Sequence, residues 1–334
     1  MSDAQVRLWI PSLSDIATVV INMGVSFRSL FPLQHFQPVF TEDDILSEMQ
    51  ITVGKPTNGE SVASPVFSCL LETNLKNIAK FLRFCISIRP KGYSDQEISQ
   101  LLLLILKLSL EKRLKHIPLV DFQCLMIKLL ENIPDWDSKM PDLCLAISEL
   151  SSHHHDLLWL VQLIPNWTIR GRQIRRHLSL VVISKLLNKK NISIPSTTDL
   201  QMSHLCQDLE QMKPSNLLKK KVAERLEQQD DNLSREYLLS ELEPQAYYLT
   251  YVLLHLVREA SSCEVVKSHH RKWLLKLCSA LERHVKCDIR ENARLFYRTR
   301  VKDLVARTCS KWQQMILNSR PTQGKLHDFW EPDA

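Results

Sequence analysis

Four arginines fall within seven positions in the middle of the chain: Arg170, Arg172, Arg175 and Arg176, beside Trp167 and Gly171. A guanidinium fork can hold a phosphate or a carboxylate through two parallel hydrogen bonds. A helix opening near Arg172 would add the positive end of its dipole. Two readings fit this cluster: contacts to phosphates or an acidic partner, or ion pairs with acids on neighbouring helices. A second basic stripe, Arg290, Arg294, Arg298 and Lys302, repeats every four residues along one helix face. The run His153-His154-His155 has the right atoms for a metal. Adjacent residues on a helix point in different directions, so a polar helix start is the better reading. Gly54-Lys55-Pro56 lacks the upstream glycine of a phosphate loop, and no G-x-S-x-G elbow occurs. No catalytic residue, metal or cofactor is expected.

The C-terminal segment carries a different kind of signal. Gln323 is followed by Leu326 three positions on and by the adjacent aromatics Phe329 and Trp330. One short helical turn would place Leu326, Phe329 and Trp330 on one side, with the Gln323 amide at its edge. The spacing resembles the PIP box, the peptide by which partners bind the sliding clamp PCNA. The acidic residues Glu331 and Asp333 depart from the basic flank common after such peptides. The competing reading is a latch that folds back on the chain's own helices.

Bulk properties narrow the class. The chain has 334 residues, 44% of them hydrophobic, with a formal net charge of +6. That is enough apolar material for a sizeable core. The charge is uneven: from Arg258 to Lys325 there are sixteen Lys or Arg against six Asp or Glu, a net of +10. Such a local excess suits nucleic acid, an acidic protein or plain solvent. Nine cysteines without a C-x-x-C pair suggest a reducing compartment. No signal peptide opens the chain and no apolar run reaches a bilayer's thickness, so a nuclear or cytosolic chain without a membrane role is expected.

The elements that must position these residues are helical. Only six glycines occur, and leucine-rich stretches at helical period dominate over alternating ones. Ser14-Asp15 opens a helix through Met23, and Thr41 caps another. Residues 51–65 read as the one long loop. Helices are expected at 66–88, from the capping box Ser94–Glu97 to about 111, and at 119–132, 141–151, 154–164 and 172–188. Others fit 199–211, 215–229, 232–242, 244–261, 264–286 and 289–318, where Pro321 closes the series. The expected fold is therefore all-α, an irregular α-solenoid or helical array of roughly a dozen helices with no sheet. One domain would cover 1–318, with 319–334 an extended tail.

Three strings resemble a known family. They are LIPNWTIRGRQIRRHLSLVVISKLL (Leu163 to Leu187), WIPSLSDIATVVINMGVSFRSLFP (Trp9 to Pro32) and FYRTRVKDLVARTCSKWQQ (Phe296 to Gln314). All are similar to the CANIN domain, the helical C-terminal domain of the family containing the second localization factor of the Smc repair complex. The resemblance covers about residues 5 to 318. It implies a non-catalytic nuclear adaptor that binds Smc-type repair complex subunits, together with a BRCT- and ankyrin-containing localization factor, and helps bring them to chromatin. A chain starting almost at the domain suggests a paralogue or a short isoform. The rival expectation is a helical module that binds DNA directly through its arginine-rich segments.

Overall fold

A computed structural model describes residues 9–23, 41, 43, 65–110, 119–187, 247–256, most positions of 271–279, 282 and 296–318. Every regular element among the described residues is a helix. The chain divides into two compact units. One comprises Met1–Val182 with Ile192–Asp199, the other Ile183–Asn191 with Leu200–Ala334.

The first unit carries α1 (Leu13–Asn22), α2 (Pro65–Ile88), α3 (Asp95–Leu108), α4 (Leu119–Asn132), α5 (Trp136–Glu149), α6 (His154–Leu163) and the start of α7 (Ile169–Leu186). The capping box read at Ser94 is present: its hydroxyl accepts from Glu97 N–H, and the Glu97 carboxylate accepts from Ser94 N–H at 2.8 Å. The helix beyond it ends at Leu108, short of the expected 111. The first helix differs by a register. Ser12 is its cap and Asp15 the reciprocating acid, so Ser14-Asp15 sits inside the first turn instead of opening it.

Two helices start earlier than the expected 141 and 172. α5 begins at Trp136, not 141, with Pro141 inside it. A left-handed Asp135 (φ 45°) turns the chain, and its carbonyl accepts from Ser138 and Lys139 N–H. At the sixth helical position proline removes one intrahelical bond without breaking the helix. α7 begins at Ile169, not Arg172, because Thr168 Oγ1 accepts from Gly171 N–H. α6 opens at His154 with His153 as its cap, so the histidine triplet is the polar helix start that was expected.

Packing follows the next-neighbour pattern of a helical array: α2 lies on α4, and α3 on both α4 and α5. α3 is apolar nearly all round, with buried residues from Ile98 through Leu106 without a break, as befits a helix enclosed by others. α4 presents Phe122, Leu125, Met126, Leu129 and Leu130 to this core. Tyr93 donates its buried hydroxyl to Pro11 O at 2.9 Å, fastening the N-terminal segment to the α2–α3 turn. There Ile10 packs closely on Gly92, where a larger residue would require the Ile10 side chain to shift.

In the second unit, described separately, α8 (Phe296–Asn318) buries Leu304, Val305, Thr308, Cys309, Trp312 and Ile316 along one face. Helical residues 247–256 bury Leu249, Val252, Leu253 and Leu256. Described positions from 271 to 282 are helical as expected. The helices expected at 199–211, 215–229 and 232–242, and the loop at 51–64, lie outside the described residues.

Candidate functional site

The arginine-rich segment is a joint inside the first unit. Arg170 Nη1 lies 2.6, 3.0 and 2.8 Å from the carbonyl oxygens of Leu130, Glu131 and Ile133, the open C-terminal end of α4. Its guanidinium also stands 5.1 Å from the centre of the Trp136 ring. A cation at a helix C-terminus satisfies orphan carbonyls and complements the dipole. Trp136 in turn donates its indole N–H to Gln173 Oε1 at 2.8 Å, in a buried bond between α5 and α7. His177, fully buried, places Nδ1 2.9 Å from Gln173 O, which makes Nδ1 the donor. Arg175 and Arg176 are 8% and 6% exposed, and Arg172 is half-buried with Nη1 3.5 Å from Asn166 O. The partners of Arg170 are thus helix-end carbonyls, where an ion pair with an acid was one expectation. Gly171 completes the joint: a Cβ there would stand 2.0 Å from Pro165 O.

The same device recurs at two other helix ends. Lys107 of α3 donates to Leu150 O, the last turn of α5, at 2.8 Å. Gln123 of α4 donates to Leu163 O, the end of α6, at 3.1 Å.

The other predicted site residues are placed unevenly. Lys302 is exposed on α8, and Arg298 belongs to that helix. Arg290, Arg294 and the motif residues Gln323, Leu326, Phe329 and Trp330 lie outside the described residues. Among the described residues no group of His, Cys, Asp and Glu could hold a metal, and no helix is long and apolar enough to cross a membrane. Burial pushes the Cys144 thiol far above its ordinary range. Cys309 and Cys278 are buried together, Cys309 Sγ lying 3.8 Å from Cys278 O. Hydrogen bonding between the two thiols favours the protonated form of Cys278, pushing its pKa up, and pulls that of Cys309 down.

One surface feature was not singled out in the sequence. α2 packs Leu75, Ala79, Leu82 and Ile86 inward, yet it also exposes Phe81, Phe84 and Ile88 by 45%, 61% and 46%. These three follow the i, i+3, i+7 spacing of a single stripe. Beside it run Lys76, Lys80 and Arg83, all exposed. The signal was present in the segment LKNIAKFLRFCISI, which holds more apolar residues than one buried face can use.

The sequence model of the Coiled-coil and Nse Interacting (CANIN) domain matches residues 1–192, nearly the extent of the first unit. Human SMC5-SMC6 complex localization factor protein 2 is 59% identical over 333 residues, covering 100% of this chain and 28% of that protein. Its Danio rerio counterpart is 40% identical over 327 residues, covering 97% of this chain and 28% of that protein. Human Protein FAM178B is 33% identical over 332 residues, 98% of this chain and 47% of that protein. The chain thus spans between about a quarter and a half of the length of these relatives. The alignment with the human localization factor reaches past residue 318, so the C-terminal segment falls within it, beyond the limit read from the three strings. On the match over residues 1–192, the chain belongs to the CANIN domain family.

Proposed function

We propose that this chain is a non-catalytic nuclear adaptor that binds components of the SMC5-SMC6 complex and helps place that complex on chromatin. The observation that carries the proposal is the family match, joined to relatives whose name describes localization of a complex and not a reaction. A helical array with side chains tying its helix ends is a suitable scaffold for such a task. A BRCT- and ankyrin-containing localization factor is the second partner that the family resemblance implies. The test is capture of the purified SMC5-SMC6 complex by the full chain at physiological salt. Stoichiometric retention is expected, and recovery no better than that of an unrelated helical protein of similar charge would overturn the proposal.

The Gln323–Trp330 segment adds a sliding-clamp tether to this role. A peptide of residues 318–334 is expected to bind PCNA, and Phe329→Ala with Trp330→Ala should cost at least ~2 kcal/mol, as buried aromatic anchors do. Equal binding by both peptides would reject the tether. Direct DNA binding is the alternative reading, supported by the net +10 between Arg258 and Lys325. Two observations weigh against its extension into the first unit: Arg170 is engaged with the carbonyls at the end of α4, and Arg175 and Arg176 are buried. DNA affinity that falls with salt by a log–log slope of about −0.9 per phosphate neutralised would favour it.

A further inference from the structure

We infer that the exposed face of α2 is a docking surface for an acidic amphipathic helix of a partner protein, seated on Phe81, Phe84 and Ile88 and held by Lys76, Lys80 and Arg83. The inference deepens the adaptor reading and rests on it for the identity of the natural partner.

Single exposed apolar residues on a protein surface need no explanation, but an aligned stripe of two phenylalanines and an isoleucine does. Their positions span about 10 Å along the helix axis, roughly two turns, at 1.5 Å per residue. They cannot be core residues left over from a loose pack, because α2 has a complete inward face. Leu75, Ala79, Leu82 and Ile86 on it are each nearly fully buried. A straight row of side chains at i, i+3 and i+7 is complementary to the ridge of another helix carrying aliphatic residues at the same spacing. An extended strand would need an unpaired backbone edge, which a helix face does not offer.

Charge selects the kind of helix. Between Thr73 and Ser94 the chain holds Lys76, Lys80, Arg83, Arg89 and Lys91 and no Asp or Glu. Lys76, Lys80 and Arg83 form their own i, i+4, i+7 row on the side of the stripe away from Cys85. A docked helix with carboxylates flanking its apolar seam would meet cations along that margin, whereas a lysine-rich one would be repelled. Trp9, 71% exposed, adds a further aromatic beside Ile10, which packs on Gly92 just past the end of α2. Nucleic acid could use the cations but would leave Phe81, Phe84 and Ile88 without a reason to align.

The experiment compares the full chain with two double variants, Phe81→Ser/Phe84→Ser and Lys80→Glu/Arg83→Glu. All four side chains are exposed, so the thermal midpoint should hold, and far-ultraviolet dichroism checks that it does. Each protein is titrated with the purified SMC5-SMC6 complex and with a synthetic amphipathic helix of about three heptads bearing leucine seams and glutamate flanks. A lysine-flanked version of that helix and a short DNA duplex are the controls. The wild type should prefer the glutamate helix over the lysine helix by at least ~tenfold, and each variant should lose at least ~tenfold toward the complex and the glutamate helix. Unchanged capture of the complex by both variants, without preference for the glutamate helix, overturns the docking surface and leaves the adaptor role standing. Failure to capture the complex, with the glutamate-helix preference intact and lost in the variants, overturns the adaptor role and supports the surface. Self-association abolished by Phe81→Ser/Phe84→Ser would assign the face to a second copy of this chain and overturn the proposal. Preferential binding of the duplex, lost only in Lys80→Glu/Arg83→Glu, would do the same in favour of nucleic acid.

Discussion

Replacing Arg170 with alanine tests whether this residue is a structural cap. One nitrogen, Nη1, stands within 3.0 Å of three carbonyls at the end of α4. It has two hydrogens, so at least one is shared, and the set counts as about two bonds. Hydrogen bonds to a charged group contribute about 1.5–3 kcal/mol each when well shielded. Arg170 is half-buried, and the carbonyls can recruit water once the side chain is gone, so the lower end applies. The dipole adds about 0.3–1 kcal/mol, and the Trp136 contact about 0.5–1 kcal/mol. Rehydration offsets part of this total, leaving an expected loss of ~2–3 kcal/mol for Arg170→Ala. Arg170→Lys keeps the charge but not the planar fork, and should recover about half of the loss. Urea denaturation followed by far-ultraviolet dichroism reads the midpoint. A cost below about 0.5 kcal/mol, typical of an ordinary surface substitution, would refute the capping role.

Three further outcomes follow from the same joint and its neighbours. Gly171→Ala drives a Cβ to within 2.0 Å of Pro165 O, so the turn must shift and stability should fall by ~1–3 kcal/mol in the same denaturation assay. Gln173→Leu removes the acceptor of the Trp136 indole, and the stranded buried donor should cost ~1–3 kcal/mol with a change in tryptophan emission. Burial, and after it the charges of Cys85, Glu97 and Asp15, hold the Tyr93 phenol protonated well above its ordinary range. A phenol raised in the folded state contributes stability that is full below its unfolded value, about pH 10, and is lost as pH rises beyond it. Wild-type stability should therefore fall more steeply above about pH 10 than that of Tyr93→Phe, and parallel curves would contradict the burial.

What could be read from the sequence was what depends on neighbours along the chain. The Ser94–Glu97 cap needs only four residues, and leucine periodicity announced α3 and α4 with nearly correct ends. The starts at 136 and 169 precede the expected 141 and 172 because a helix start depends on which residue can turn the chain, and Asp135 and Thr168 do so a few positions earlier. The arginine cluster was visible, but its use was not. Whether Arg170 meets phosphate or protein depends on where α4 ends, 37 to 40 residues away. Phe81 and Phe84 failed to stand out for a related reason. Apolar residues on a helix declare that something covers them, and only the packing of α2 on α4 separates those already covered from those still waiting.

The helix-end ties made by Lys107, Gln123 and Arg170 bear on how the first unit comes apart. An isolated helix frays from its C-terminus one residue at a time, with no consequence elsewhere. Here the terminal carbonyls of α4, α5 and α6 are each held by a residue of another helix, 37 to 43 positions distant. Opening any of these ends therefore loosens a remote helix as well, and local fluctuation becomes collective. Amide hydrogens in the last turns of α4, α5 and α6 should exchange with nearly the protection of the unit's core, so that a partner pulling on one helix meets the resistance of several.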